Sequence, residues 1–103
     1  MAITEDAVRE ALREVVDPEL GVNIVDLGLV YGIEIADTTV RVVMTTTSPA
    51  CPLGNYLRDL VDQTLHWRLP EAHDVEIALV FEPPWHPEMM TALGHEQLYG
   101  RTR

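Results

Sequence analysis

The chain has 103 residues, 47% of them hydrophobic, and a net charge of −10 from 17 acidic residues against 7 arginines. That length and apolar fraction predict one globular domain spanning 1–103 and exclude a disordered chain. The acidic surface repels phosphate backbones and anionic lipid head groups, which argues against nucleic-acid and membrane partners and favours a basic patch on a partner protein.

Residues 4–16 read as a first helix. Thr4 is placed to cap it, Glu5 and Asp6 suit its positive end, and Val8, Ala11, Leu12 and Val15 share one face. Asp17-Pro18 marks its end, because the residue before a proline is pushed out of the helical region. Residues 19–28 form a connection carrying Glu19, Asn23 and Asp26. Alternation of Leu29, Tyr31, Ile33 and Ile35 with Val30, Gly32, Glu34 and Ala36 predicts a strand over 29–36. A second strand, 39–46, follows the Asp37-Thr38 turn, and the two make an antiparallel hairpin.

A proline-punctuated loop, Thr47-Ser48-Pro49-Ala50-Cys51-Pro52-Leu53-Gly54, leads into a second helix from about Pro52 to Arg68, striped with Leu53, Leu57, Leu60, Val61 and Leu65. Residues 74–81 form a third strand, with Val75, Ile77, Leu79 and Phe81 on one face. After the stiff turn Pro83-Pro84-Trp85-His86-Pro87, residues 87–97 read as a short last helix carrying Met89, Met90 and Leu93. The predicted fold is thus α+β: a two-layer αββαβ(α) arrangement with a mixed three-stranded sheet and helices on one face. The alternation leaves the other face partly exposed or covered by a second subunit.

Chemistry concentrates on Cys51, the only cysteine. It cannot form an internal disulfide. With a start that shows no basic and apolar leader pattern and no apolar run of membrane-spanning length, this points to a cytoplasmic protein. Proline is favoured in the first turn of a helix, so Pro52 puts Cys51 where free backbone N–H groups and the positive helix end stabilise a thiolate. A thiolate is both nucleophile and metal ligand. A small buried apolar cysteine is the plain alternative. Thr45, Thr46, Thr47 and Ser48 offer hydroxyls to a sulfur anion or an oxyanion, although threonine also suits a strand and Ser-Pro a turn.

The four histidines and Cys51 lack metal-ligand spacing, which argues against a preformed mononuclear site such as zinc. Asp17, Glu19 and Asp26 read as turn and cap residues rather than an acid–base pair. No phosphate-cradling glycine motif and no G-x-S-x-G is present, so nucleotide cofactors and acyl-hydrolase chemistry have no support. Trp85, between prolines, suits either an exposed partner anchor or a lid on the cysteine loop.

Three segments, in this order and spacing, carry a family resemblance. They are Asp17-Pro18-Glu19 with Asn23-Ile24-Val25-Asp26-Leu27-Gly28-Leu29-Val30-Tyr31, then Met44-Thr45-Thr46-Thr47-Ser48-Pro49-Ala50-Cys51-Pro52-Leu53, then Pro83-Pro84-Trp85-His86-Pro87-Glu88-Met89-Met90. Together they resemble the small metal–sulfur cluster assembly family that includes SufT, whose domain is shared with the phenylacetate-pathway protein PaaD. The resemblance implies an iron–sulfur cluster assembly-type fold and a non-enzymatic role in maturing or delivering clusters. It implies iron–sulfur scaffold and client proteins as partners and a transiently held iron–sulfur cluster. It matches Cys51 to the family's functional cysteine, Asp26 to the acid of its Asp-Leu-Gly motif, and Thr45 and Thr47 to its hydroxyl positions. The chain ends soon after the Trp85 segment without a cysteine-rich extension, which favours the general assembly branch over oxygenase maturation of the PaaD kind.

Clusters usually take four thiolates, and one chain offers one. Three routes stay open: a symmetric homodimer supplying two Cys51 sulfurs, Cys51 as a transient ligand during handover, or an adaptor holding scaffold and client together. A thiol enzyme is the rival from another class. It needs a base or resolving thiol beside Cys51, and the sequence supplies no second cysteine.

Overall fold

The computed structural model describes residues 3–47 and 54–99. Its elements are α1 (Glu5–Leu12), β1 (Val30–Ala36), β2 (Thr39–Met44), α2 (Gly54–Arg68), β3 (Asp74–Leu79), a 3₁₀ turn (Pro87–Met89) and α3 (Ala92–Tyr99). The sheet order is β1-β2-β3. β1 and β2 are antiparallel, with Ile33 opposite Val42 and Ile35 opposite Val40. β2 and β3 are parallel, with Val42 opposite Ile77. The predicted mixed three-stranded sheet and three helices are what the structure contains.

Thr4 caps α1 as its residue type predicts, its side-chain oxygen accepting from the Ala7 N–H at 3.1 Å. The helix stops at Leu12 rather than at 16. Two single-turn bonds, Glu14 N–H to Ala11 and Val15 N–H to Leu12, close it. The β-branched pair Val15-Val16 then turns extended, and Val16 bridges Asn23. Packing of the following loop wins over helical continuation, because Val15 and Asp17 exchange backbone bonds with Ile24 and Val22.

The core lies between one sheet face and the helices. β2 contributes Val40, Val42 and Met44, α1 contributes Val8 and Leu12, and α2 contributes Leu57, Val61 and Leu65, all fully buried. α1 packs on α2 and β1, and α2 packs on β3. The connection before β1 is itself core: Val22, Ile24, Leu27 and Leu29 are at most 1% exposed. The opposite sheet face is partly exposed and carries the Glu34–Arg41 cross-strand ion pair.

Two details differ from the alternation. A β-bulge between Val30 and Gly32 takes Tyr31 out of the face it was assigned with Ile33 and Ile35. Phe81 lies beyond β3 and is exposed, so only Val75, Ile77 and Leu79 of its predicted face pack against the core. The last helix is split: a 3₁₀ turn, then Thr91, then α3. Thr91 makes the break by capping α3, its Oγ1 accepting from the Gly94 N–H at 3.0 Å.

Candidate functional site

The three motif segments meet at the carboxyl ends of β2 and β3. In sheets with parallel strands this is the end where ligands are usually handled. The Thr45 N–H donates to the Leu29 carbonyl at 2.9 Å and the Val80 N–H to the Met44 carbonyl at 2.9 Å. The first bond joins the first segment to the threonine run, and the second ties β3 to the end of β2 three residues ahead of the third segment. Thr45 and Thr46 are buried, and Thr47 is half-buried. A side-chain carbon built on Gly54 would sit 3.6 Å from both Thr46 and Leu79. The chain therefore leaves this strand end at Thr47 and re-enters beside it at Gly54. The six residues between, which include Cys51 and Pro52, lie outside the described residues.

Asp26 is buried, at 3% exposure, and three side chains converge on it. Asn23 Nδ2 donates to its Oδ2 at 2.7 Å, Thr91 Oγ1 donates to its Oδ1 at 2.9 Å, and Arg13 Nη1 lies 3.6 Å from Oδ1. Its own N–H donates to Asn23 Oδ1, and its carbonyl accepts from the Thr91 N–H. This is the turn-and-cap role read from residue type, extended by a long-range tie to the start of α3. Asp17 acts similarly, its Oδ1 accepting from the Glu19 N–H at 2.8 Å.

Trp85 is a fastening. Its indole is half-buried against the core, and Nε1 donates to the Leu27 carbonyl at 2.7 Å. Tyr31, a residue the sequence reasoning did not single out, makes the parallel tie: its hydroxyl donates to the Pro83 carbonyl at 2.7 Å and approaches the Met89 sulfur at 3.6 Å. Burial pushes the Tyr31 hydroxyl pKa above its usual 10.0, and a hydrogen bond from Thr45 partly opposes this. Two glycines allow the close approach. Gly28 has φ +80°, and a Cβ there would stand 2.3 Å from the Met89 carbonyl oxygen. A Cβ on Gly94 would stand 2.3 Å from the Asp26 carbonyl oxygen. Residues 80–94 thus form a strap drawn across the Asn23–Tyr31 loop. The signal for it was present in Thr91, a capping residue ahead of an apolar segment, but not in any periodicity.

Asp26, Thr45 and Trp85 are thereby linked through Leu27, Leu29 and Tyr31, and Thr47 follows Thr45 by two residues. Between strap and loop lies a pocket of about 500 Å³ lined by Gly28, Val30, Tyr31, Pro83 and Met89. Among the described residues, no three His, Cys, Asp or Glu side chains gather as a metal site, and no helix is long and apolar enough to cross a membrane.

A family profile described as iron–sulfur cluster assembly protein matches residues 5–79. The chain is 45% identical over 92 residues to the Fe-S protein maturation auxiliary factor YitW of Bacillus subtilis, covering 84% of this chain and 89% of that protein. It is 46% identical over 78 residues to the Fe-S protein maturation auxiliary factor SufT of Staphylococcus aureus, covering 75% and 88%. A solved domain of unknown function from Bacillus anthracis shares the fold at a TM-score of 0.85 and 36% identity, over 87% of this chain and 86% of that one. A conserved hypothetical protein from Thermotoga maritima does so at 0.80 and 38%, over 96% and 99%. The chain belongs to the iron–sulfur cluster assembly protein family.

Proposed function

We propose that this protein is a non-enzymatic factor in iron–sulfur cluster assembly or delivery, and that Cys51 acts as a transient ligand or transfer thiol for a cluster passing to a client protein. The observation that carries this reading is the gathering of the described parts of the motif segments at the strand end that the chain leaves at Thr47, ahead of Cys51 in the sequence, and rejoins at Gly54. The relatives support it, being named as maturation auxiliary factors and, over part of longer proteins, as iron–sulfur cluster carrier proteins. The cluster is cargo here. One cysteine per chain supplies one of the usual four ligands, so scaffold or client thiolates complete the set during handover. Thr45 and Thr47, both in the threonine run that leads toward Cys51, are the supporting hydroxyl residues of this reading, and Asp26 and Trp85 hold the surrounding frame in place.

Cys51 precedes the described start of α2 by three residues in the sequence, and the amide groups that open a helix favour a thiolate placed beside them. Its alkylation by iodoacetamide should follow a thiolate titrating below the ordinary value of about 8.5. In a strain lacking the gene, iron–sulfur dehydratase activity should fall, return with the wild-type copy, and stay low with Cys51→Ser. Full rescue by Cys51→Ser at equal protein level would remove the thiol from the mechanism and leave the adaptor role. That second reading draws on Asp26, Tyr31 and Trp85, whose polar groups are engaged in holding the fold together.

A further inference from the structure

The pocket between the strap and the start of β1 is built from both sides. Gly28, Val30 and Tyr31 come from the loop and β1, and Pro83 and Met89 come from the strap. Its lining is predominantly apolar, and its roughly 500 Å³ falls in the range of sites that take a discrete ligand group. Its surroundings carry one sign of charge. Glu82 and Glu88 each directly precede a lining residue, and both are exposed. Neither has an ion pair among the described residues. The segment 69–100 holds six acidic residues, Glu71, Asp74, Glu76, Glu82, Glu88 and Glu96, and no arginine or lysine. That segment alone therefore carries a formal charge of −6, partly offset by Arg101 and Arg103 beyond it.

An apolar hole beside unpaired carboxylates is complementary to an apolar side chain flanked by cations. A second copy of this chain is a poor occupant, because two such acidic surfaces repel. We infer that this pocket docks a basic segment of a partner protein, an aliphatic side chain packing against the apolar lining of Val30, Pro83 and Met89 while neighbouring Arg or Lys side chains meet Glu82 and Glu88. This rests on the assembly role proposed above and deepens it by naming the chemistry of the partner.

The test uses the full chain and three capped pentapeptides: a leucine between two pairs of arginines, the same with a central serine, and the leucine between two pairs of glutamates. Binding is followed by amide chemical shifts and fluorescence anisotropy. The leucine–arginine peptide should bind and shift the Gly28, Val30, Tyr31 and Met89 amides. The serine version should bind at least about tenfold more weakly, having lost the buried aliphatic group. The glutamate version should not bind. The double variant Glu82→Lys, Glu88→Lys should weaken the leucine–arginine peptide about tenfold. Met89→Ala, which reshapes the pocket and leaves the charges, provides a second variant if the double one misfolds, and it should weaken the leucine peptide while leaving the serine peptide unchanged.

Equal binding of leucine and serine peptides, shifts centred on Glu34 and Asp74 instead of the pocket, or pocket shifts that depend on protein concentration without peptide would each overturn the proposal. Cys51→Ser should bind the peptide as the wild type does. Pocket binding with no cellular defect in Cys51→Ser would sink the thiol role alone, and the reverse pattern would sink only the docking site.

Discussion

Asp26 shows how one buried carboxylate can hold two distant segments together. Its two oxygens are shared among Asn23, Thr91 and Arg13, so ordering the loop and seating α3 are one act. Truncating it leaves the Thr91 hydroxyl and the Asn23 amide without their acceptor. Asp26→Ala should lower the unfolding free energy by about 2–4 kcal/mol in urea titration. Gly94 makes the complementary case. Glycine to alanine inside a helix ordinarily stabilises by up to about 1 kcal/mol. Here the added carbon meets the Asp26 carbonyl oxygen, so Gly94→Ala should instead destabilise by about 1–3 kcal/mol. An unchanged or raised urea midpoint would show that the strap does not press on the loop. The acid, the tryptophan and the threonines were all legible as motif members. That Asp26 and Trp85 act on the strap was not, because a tie between Asp26 and Thr91 crosses 65 positions and leaves no local pattern.

At the scale of elements, period decided most of what could be read. The stripe of α2 is borne out by the full burial of Leu57, Val61 and Leu65, and the hairpin by the pairing of β1 with β2. The connection from Val22 to Leu29 was read as a link, since its apolar residues follow neither a helical nor a strand period, yet it supplies four of the most buried side chains. Irregular backbone can be core when its own polar groups are satisfied, and here the Ile24, Leu27, Gly28 and Leu29 amides all find backbone acceptors. The bulge at Tyr31 was hidden for a similar reason: alternation counts residues and does not reveal the one that drops out of register. α2 gives a direct contrast between buried and open positions. Leu57→Ala should cost about 2–5 kcal/mol through the cavity it leaves. Trp67→Ala, at a position 80% exposed, should change stability by no more than about 0.5 kcal/mol. Thermal or urea denaturation of the two variants side by side checks both values.

For the molecule as a whole, the strap couples the C-terminal part of the chain to the loop before β1, and Tyr31 is one of its clasps. Burial holds the Tyr31 proton more tightly in the folded state than in the unfolded chain. Above the ordinary pKa of 10.0 the unfolded chain therefore binds fewer protons than the native one, and stability must fall as pH rises from there through the folded value. Below that range the contribution is complete and flat. Urea midpoints measured from pH 8 to 11 should decline at the alkaline end for the wild type and less steeply for Tyr31→Phe, which begins lower for want of the bond to Pro83. Equal slopes would remove Tyr31 as the source.

The two ends of β2 have separate uses. The Asp37-Thr38 turn, with Asp37 at φ 60°, closes the hairpin at one end, and the threonine run leaves the sheet at the other. Six residues of strand put about 20 Å between them. A dye, an affinity handle or a surface tether grafted at the turn would thus stand clear of the threonine run, so an immobilised copy could keep that end of the sheet open to solution.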